Sequence, residues 1–245
     1  MNLFQVKLRS NLVQRIDKLL AHALSISRSD VSRLIRNKMI TVNGELVKSG
    51  SLKVSSSDEV LYENNVIVLS SSKRYFMLNK PQGYVCANND ANYPCVTSLL
   101  DEPSAYLLHS AGRLDVDTTG LVLLTDDGDW SHTITSPKKR CQKIYHVTLK
   151  HPLLEDYAVS FKKGILLKQE REPTEPATLT YLNEYECLVQ IYEGKYHQVK
   201  RMFGAVGNRV VALKRLQIGS VILDDTLNEG EYRELNYHEV SSFTK

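Results

Sequence analysis

Apolar residues recur at helical spacing between residues 14 and 24. Ile16, Leu19, Leu20, Ala23 and Leu24 fall at i, i+3, i+4, i+7 and i+8 and make one stripe. After Ser25-Ile26, Ser27 with Asp30 three residues on forms a capping box, which predicts a second helix starting at Arg28. Val31, Leu34 and Ile35 would be its buried side, and Arg28, Arg33, Arg36 and Lys38 lie on the other. Met39-Ile40-Thr41-Val42 and Glu45-Leu46-Val47 flank Asn43-Gly44, the signal of a type I′ hairpin. Residues 59–62 read as a further short strand. The pattern predicts two short helices and a small sheet, with one helix face basic. Such a face can track phosphates while a hairpin fixes its orientation.

Residues 63–74 are polar, with a Ser70-Ser71-Ser72 run, and read as a linker; the domain boundary is expected near residue 70. Tyr75-Phe76-Met77-Leu78 then reads as a buried strand. Pro81 cannot continue a central strand, so Lys80 is expected at a strand-to-loop exit. Leu121-Val122-Leu123-Leu124-Thr125 is a second apolar strand. Residues 143–149 alternate, with Lys143, Tyr145, Val147 and Leu149 on one face and Ile144, His146 and Thr148 on the other. A helix over 153–163 stops at Gly164, strands follow over 165–167, 177–182 and 186–192, and a last helix runs to Gly207 with Val199, Met202, Phe203 and Val206 as its apolar stripe.

Candidate chemistry lies ahead of the second apolar strand, in Gly112-Arg113-Leu114-Asp115-Val116-Asp117-Thr118-Thr119-Gly120. A glycine-bounded loop leading into a rigid strand is a common place for a reacting group, and Arg113 can keep the Asp115 carboxylate ionised. On this loop alone, a turn held by Asx hydrogen bonds from Asp115 and Asp117 is the better explanation of the residues. Asp115-Val116-Asp117-Thr118 also matches the D-x-D-x-T nucleophile pattern of haloacid-dehalogenase-type phosphotransferases. That chemistry needs the first aspartate at the end of a hydrophobic parallel strand, whereas here the hydrophobic strand comes after the pattern. Lys195, Lys200, Arg201, Arg209, Lys214 and Arg215 form a dense basic stretch, read either as phosphate contacts with a cation beside an acid or as a solvated helix face.

Composition narrows the class. The chain has 245 residues, 42% of them apolar, enough for one large or two small domains with real cores. Net charge is +3, but residues 1–70 carry +4 and residues 71–245 carry −1, so a polyanion would be held mainly by the first part. Cys86, Cys95, Cys141 and Cys187 fit no zinc or C-x-x-C spacing and read as reduced thiols. No apolar run approaches the roughly 18 residues of a membrane span, and MNLFQVKLRS lacks the features of a signal peptide, so a cytoplasmic protein is expected.

The segment RIDKLLAHALSISRSDVSRLIRNKMITVNGELVKSG resembles an S4 RNA-binding domain through its R-x-D-K start, S-R-S cap, R-L-I-R and V-N-G-E hairpin. Y-F-M-L-N-K-P-Q-G-Y, G-R-L-D-x-D-T-T-G-L-V-L-L-T, K-I-Y and G-K-Y-H-Q-V-K-R-M resemble, in order, the four motifs of the pseudouridine synthase family. The likeness is to the branch that carries an S4 domain and acts on the small ribosomal subunit. It implies an α+β chain: an extension over 1–14, an S4 (α-L) domain over 15–70, and over 71–245 a catalytic domain built on a mixed, largely antiparallel sheet.

The resemblance further implies isomerisation of one uridine in 16S rRNA to pseudouridine, without cofactor or metal. The partner would be small-subunit rRNA, free or in a precursor particle, met by a monomer that does not engage membranes. Asp115 matches the aspartate that attacks the nucleoside or drives glycosidic cleavage. Tyr145 matches the tyrosine that packs against the base and helps remove the C5 proton. Lys200 stands where many relatives have an arginine paired with the aspartate, a departure that gives up the bidentate pair. Arg113 matches an arginine that fills the stack when the uridine leaves it. Arg28, Arg33, Arg36 and Lys38 would hold rRNA phosphates from the S4 helix, with Lys80 and Arg201 as RNA contacts in the catalytic body. Large-subunit 23S rRNA as substrate, and a non-catalytic ribosome-assembly factor, are the alternatives.

Overall fold

Ser27 caps its helix in both directions. Its Oγ accepts from the Asp30 N–H at 3.1 Å, and its own N–H donates to Asp30 Oδ2 at 3.3 Å. This capping box lies in the first of two compact units, 1–72 and 73–245, into which the computed structural model divides the chain. Described are residues 13–24, 26–55, 57–63, 65–66, 73–102, 105 and 108–244.

The first unit runs β1 (Gln14–Arg15), α1 (Ile16–Ala23), α2 (Arg28–Arg36), β2 (Ile40–Val42), β3 (Glu45–Leu46), β4 (Lys53–Val54), β5 (Val60–Tyr62) and β6 (Asn65–Val66). Strands β3-β2-β5-β6 form one antiparallel sheet and β1 pairs with β4. Asn43 and Gly44 turn the hairpin with φ of 51° and 83°, as a type I′ turn requires. Ile16, Leu20, Val31, Ile40, Val54 and Val60 meet in the core, and Leu34 packs at its edge. Residues 1–12 of the expected extension lie outside the described residues. Gln14 already pairs with Val54, so the folded unit takes in a residue assigned to the extension. The segment expected as pure linker contributes β6 to the sheet edge. Residues 67–72 lie outside the described residues.

The second unit runs β7 (Tyr75–Lys80), β8 (His109–Ser110), β9 (Thr119–Thr125), α3 (Gly128–Thr135), β10 (Lys143–Leu149), α4 (Asp156–Lys163), β11 (Thr178–Tyr181), β12 (Glu186–Ile191), α5 (Gln198–Ala205), β13 (Val210–Ile218), β14 (Val221–Ile222), β15 (Tyr232–Glu234) and α6 (Tyr237–Ser241). One mixed sheet has the order β11-β12-β10-β13-β9-β7-β15, with β14 on β13 and β8 on β9. The β13–β9 pair is parallel and the others are antiparallel. Strands β7 and β9 are covered on both faces, which is why they read as unbroken apolar runs. Phe76, Leu78, Val122 and Leu124 face one core with Phe161, Met202 and Phe203 of α4 and α5. Met77, Leu121 and Leu123 face the other with Trp130 and Ile134 of α3.

Two expectations are corrected. Residues 165–167 form no strand: Ile165 and Leu167 are buried and Leu166 is exposed, but their partner is Thr174, whose N–H and hydroxyl bond the backbone of Ile165. The helix expected from 153 begins at Asp156, because the Leu153 N–H is taken by Glu184.

Candidate active site

The loop between β8 and β9 is built by backbone hydrogen bonds before any side chain acts. The Thr118 N–H closes on Asp115 O at 3.1 Å, and the Gly83 N–H reaches Val116 O at 2.8 Å. Two buried cations clamp it. Lys80, fully buried at the end of β7, donates to the carbonyls of Pro81 at 2.9 Å, Val116 at 3.4 Å and Thr118 at 2.8 Å. Arg215 of β13 donates from Nε to Leu121 O at 2.8 Å and from Nη1 to Arg113 O at 3.3 Å. Burial holds the Lys80 ammonium below the ordinary lysine value. Gly120, at φ 97°, lets β9 approach β13: a Cβ there would lie 2.3 Å from Arg215 O.

This loop presents Asp115 to a cleft of about 440 Å³, open solvent at its mouth included, with Leu114, Ile191, Val199 and Leu213 in its lining. Lys200, on the first turn of α5, places Nζ 2.8 Å from Asp115 Oδ2 and 2.5 Å from Asp117 Oδ1. Burial pushes the Lys200 ammonium down, but these hydrogen bonds outweigh it and hold the group above the usual lysine range. Burial likewise raises Asp117, and Lys200 more than reverses it. His197 sets Nε2 3.3 Å from Asp115 Oδ1, so both carboxylate oxygens have a partner. Tyr145 lines the cleft from β10, buried with Val147 and Leu149 as the alternation predicts. The pairing of β10 with β13 shifts register between Ile144 and Tyr145. Arg113 is exposed at the cleft, and its side chain makes no hydrogen bond or ion pair to any described residue.

The cations expected to contact RNA divide. Arg36 and Lys38 are exposed and unpaired among the described residues. Arg33 pairs with Asp30 and remains exposed; Arg28 gives Nη2 to Asp17 at 2.8 Å and is half exposed. Lys80 is not an RNA contact, since it is sealed in the fold with three carbonyls around its ammonium. Arg201 is also committed internally: it donates to Glu170 Oε1 and Tyr196 O, both at 3.0 Å, and to Lys168 O at 2.5 Å. Sequence reasoning missed the placement of His197 and Arg215, although one sits within G-K-Y-H-Q-V-K-R-M and the other within the basic stretch. Asp117, to which the motif assigns no role, is the second partner of Lys200.

The phosphotransferase pattern has no support in this geometry. Asp115 precedes the hydrophobic strand β9, whereas that chemistry needs it at the end of one.

One unit carries a basic helix face, and the cleft of the other holds an acid beside a cation. Residues 74–205 match the family model described as RNA pseudouridylate synthase, and residues 14–60 match that of the S4 domain. The chain is 52% identical over 231 residues to ribosomal small subunit pseudouridine synthase A of Haemophilus influenzae, covering 94% of this chain and 100% of that one. It is 50% identical over 228 residues to the protein of the same name from Escherichia coli K12, covering 93% and 99%. A crystal structure described as pseudouridylate synthase superposes with a TM-score of 0.70 at 52% identity, over 94% of this chain and 99% of the other. The chain belongs to the RNA pseudouridylate synthase family.

Proposed function

We propose that this protein isomerises one uridine of 16S rRNA to pseudouridine, with Asp115 as the catalytic carboxylate. The observation that carries this reading is the cleft-facing Asp115 with Lys200 on one oxygen and His197 on the other. The likeness to the two small-subunit synthases over nearly their whole length supports the choice of RNA.

The reaction breaks the C1′–N1 bond and makes a C1′–C5 bond; N1 gains a proton and the C5 proton passes to solvent. Nothing is oxidised or reduced. Asp115, held in place by Lys200, attacks the nucleoside or drives glycosidic cleavage, and the apolar lining lowers the cost of holding the detached base in place. Tyr145 packs against that base and assists loss of the C5 proton. The target must leave its stack to expose C1′, and Arg113, planar and unengaged, fills the gap. Residues 15–70 hold the RNA through Arg28, Arg33, Arg36 and Lys38, and residues 71–245 carry the chemistry. The protein works as a monomer in the cytoplasm.

The test is tritium release from 5-tritiated uridine in small-subunit rRNA, offered free and in precursor particles, with carbodiimide mapping of the modified position. Release from small-subunit rRNA and one new mapped site are expected. Release from large-subunit rRNA alone, or binding with no release from either, would overturn the reading.

A further inference from the structure

Tyr196 is 74% exposed, yet its ring is not loose on the surface. It stacks on the His197 imidazole with centroids 3.8 Å apart and planes 20° from parallel. The turn beneath it is built inward. Gln198, buried, donates from Nε2 to Glu193 Oε1 at 2.8 Å and accepts the Lys195 N–H at 2.8 Å. Arg201 holds the carbonyl of Tyr196 itself. His197 adopts φ 47°, a left-handed conformation that is unfavourable for a non-glycine residue. That conformation lets one imidazole meet the tyrosine ring on its face and Asp115 at its edge.

An aromatic face stacked on its neighbour and open to water, one residue from a side chain that touches Asp115, is suited to a flat apolar partner. Lys195, whose ammonium is 3.6 Å from Glu170, and Arg113 line the cleft that His197 also lines, and bring positive charge for a strand's backbone close to the stack. Aromatic faces beside cations are how single-stranded nucleic acid is gripped, base by base. Extruding a uridine leaves its neighbours without a stacking partner on one side.

We propose that the Tyr196–His197 stack is a platform for a nucleobase of the RNA flanking the target uridine. The inference rests on the function proposed for the cleft, since it takes RNA to be what enters there. The platform orders the strand next to the reacting nucleotide and contributes to site choice. It gives Arg201 its purpose too: that residue serves RNA by holding the turn that carries Tyr196.

The experiment compares wild type, Tyr196→Leu and Tyr196→Phe on a small-subunit rRNA transcript tritiated at uridine C5, with KM and kcat measured separately. Tyr196→Leu should raise KM about 5- to 150-fold, the worth of one stacked base, with the loss falling on KM rather than kcat. Tyr196→Phe, which keeps the ring, should restore the wild-type KM. A wild-type KM for Tyr196→Leu overturns the proposal, as does a Phe variant as poor as the Leu variant. If wild type releases no tritium from any rRNA, the isomerase reading fails by itself. Filter binding of the same transcript then decides the platform: weaker binding by Tyr196→Leu but not Tyr196→Phe supports it, and equal binding by all three overturns it.

Discussion

The Lys200 ammonium lies 2.8 Å from Oδ2 of Asp115, across 85 positions of sequence. A parallel contact between β9 and β13, which is not a local feature, and the turn into α5 bring the two together. Lys200→Met should lower kcat roughly 10²-fold by removing the charge that fixes the carboxylate, whereas Lys200→Arg should lose less. The folded-state pKa of Lys200 is raised, so its stabilising effect is complete below the ordinary lysine value and is lost as pH rises through the folded value. The stability gap between wild type and Lys200→Met should therefore stay constant from about pH 7 to about pH 10 and close only above that. Denaturant titrations across this range check it.

Gly120 touches Arg215 backbone that no side chain can share. A Cβ at Gly120 would meet the Arg215 carbonyl oxygen at 2.3 Å and its nitrogen at 2.8 Å, at a φ that already disfavours L-residues. Gly120→Ala should cost about 2 to 4 kcal/mol through strain and overpacking combined. Thermal melting of the purified variant measures this, and any surviving activity should fall with the fold.

Lys80→Met separates two roles for that residue. Removing the ammonium leaves the carbonyls of Pro81, Val116 and Thr118 without their donor. The expected result is a loss of about 2 to 4 kcal/mol of stability with an unchanged salt dependence of rRNA binding. The Arg33→Ala/Arg36→Ala double variant should do the reverse, keeping stability while lowering the salt slope by about one unit for each phosphate no longer neutralised. Binding measured between about 50 and 200 mM salt tells the two apart.

Asp17 ties α1 to α2. Its Oδ2 accepts from Arg15 at 2.7 Å and Arg28 at 2.8 Å, and Gly50 packs on its Cβ closely enough that no side chain fits between. Burial pushes its carboxyl up, but the two arginines outweigh that and hold it at about 2. A lowered folded-state pKa means stability is present above the ordinary aspartate value of about 3.8 and is lost as pH falls toward about 2. Asp17→Asn should remove about 2 kcal/mol near pH 7, with most of that difference gone near pH 2 and the rest lost below it, read from acid titrations of both proteins followed by circular dichroism.

Much of this fold was legible where residues act on near neighbours. The Ser27–Asp30 cap, the Asn43-Gly44 turn and the alternation of residues 143–149 depend on spacings of two to four positions, and each stands in the structure as read. What was not legible depends on partners far along the chain. Lys80 and Arg215 look like surface cations in sequence, because nothing local reveals that backbone carbonyls, rather than phosphates, await them. The Arg201–Glu170 contact is hidden for the same reason, since the two stand 31 residues apart. The site was legible as motif and not as geometry. Asp115, Tyr145, Lys200 and Arg113 could be named from resemblance, but His197 against Asp115 required the left-handed turn that a sequence does not display.

The central claim is that one carboxylate, Asp115, performs the isomerisation. The direct measurement is single-turnover tritium release from 5-tritiated uridine in small-subunit rRNA by wild type and by Asp115→Asn, with rRNA binding and melting recorded for both. Asp115→Asn should bind and fold like wild type while release falls roughly 10³-fold or more. Release at the wild-type rate by a folded, RNA-binding Asp115→Asn protein would contradict the account.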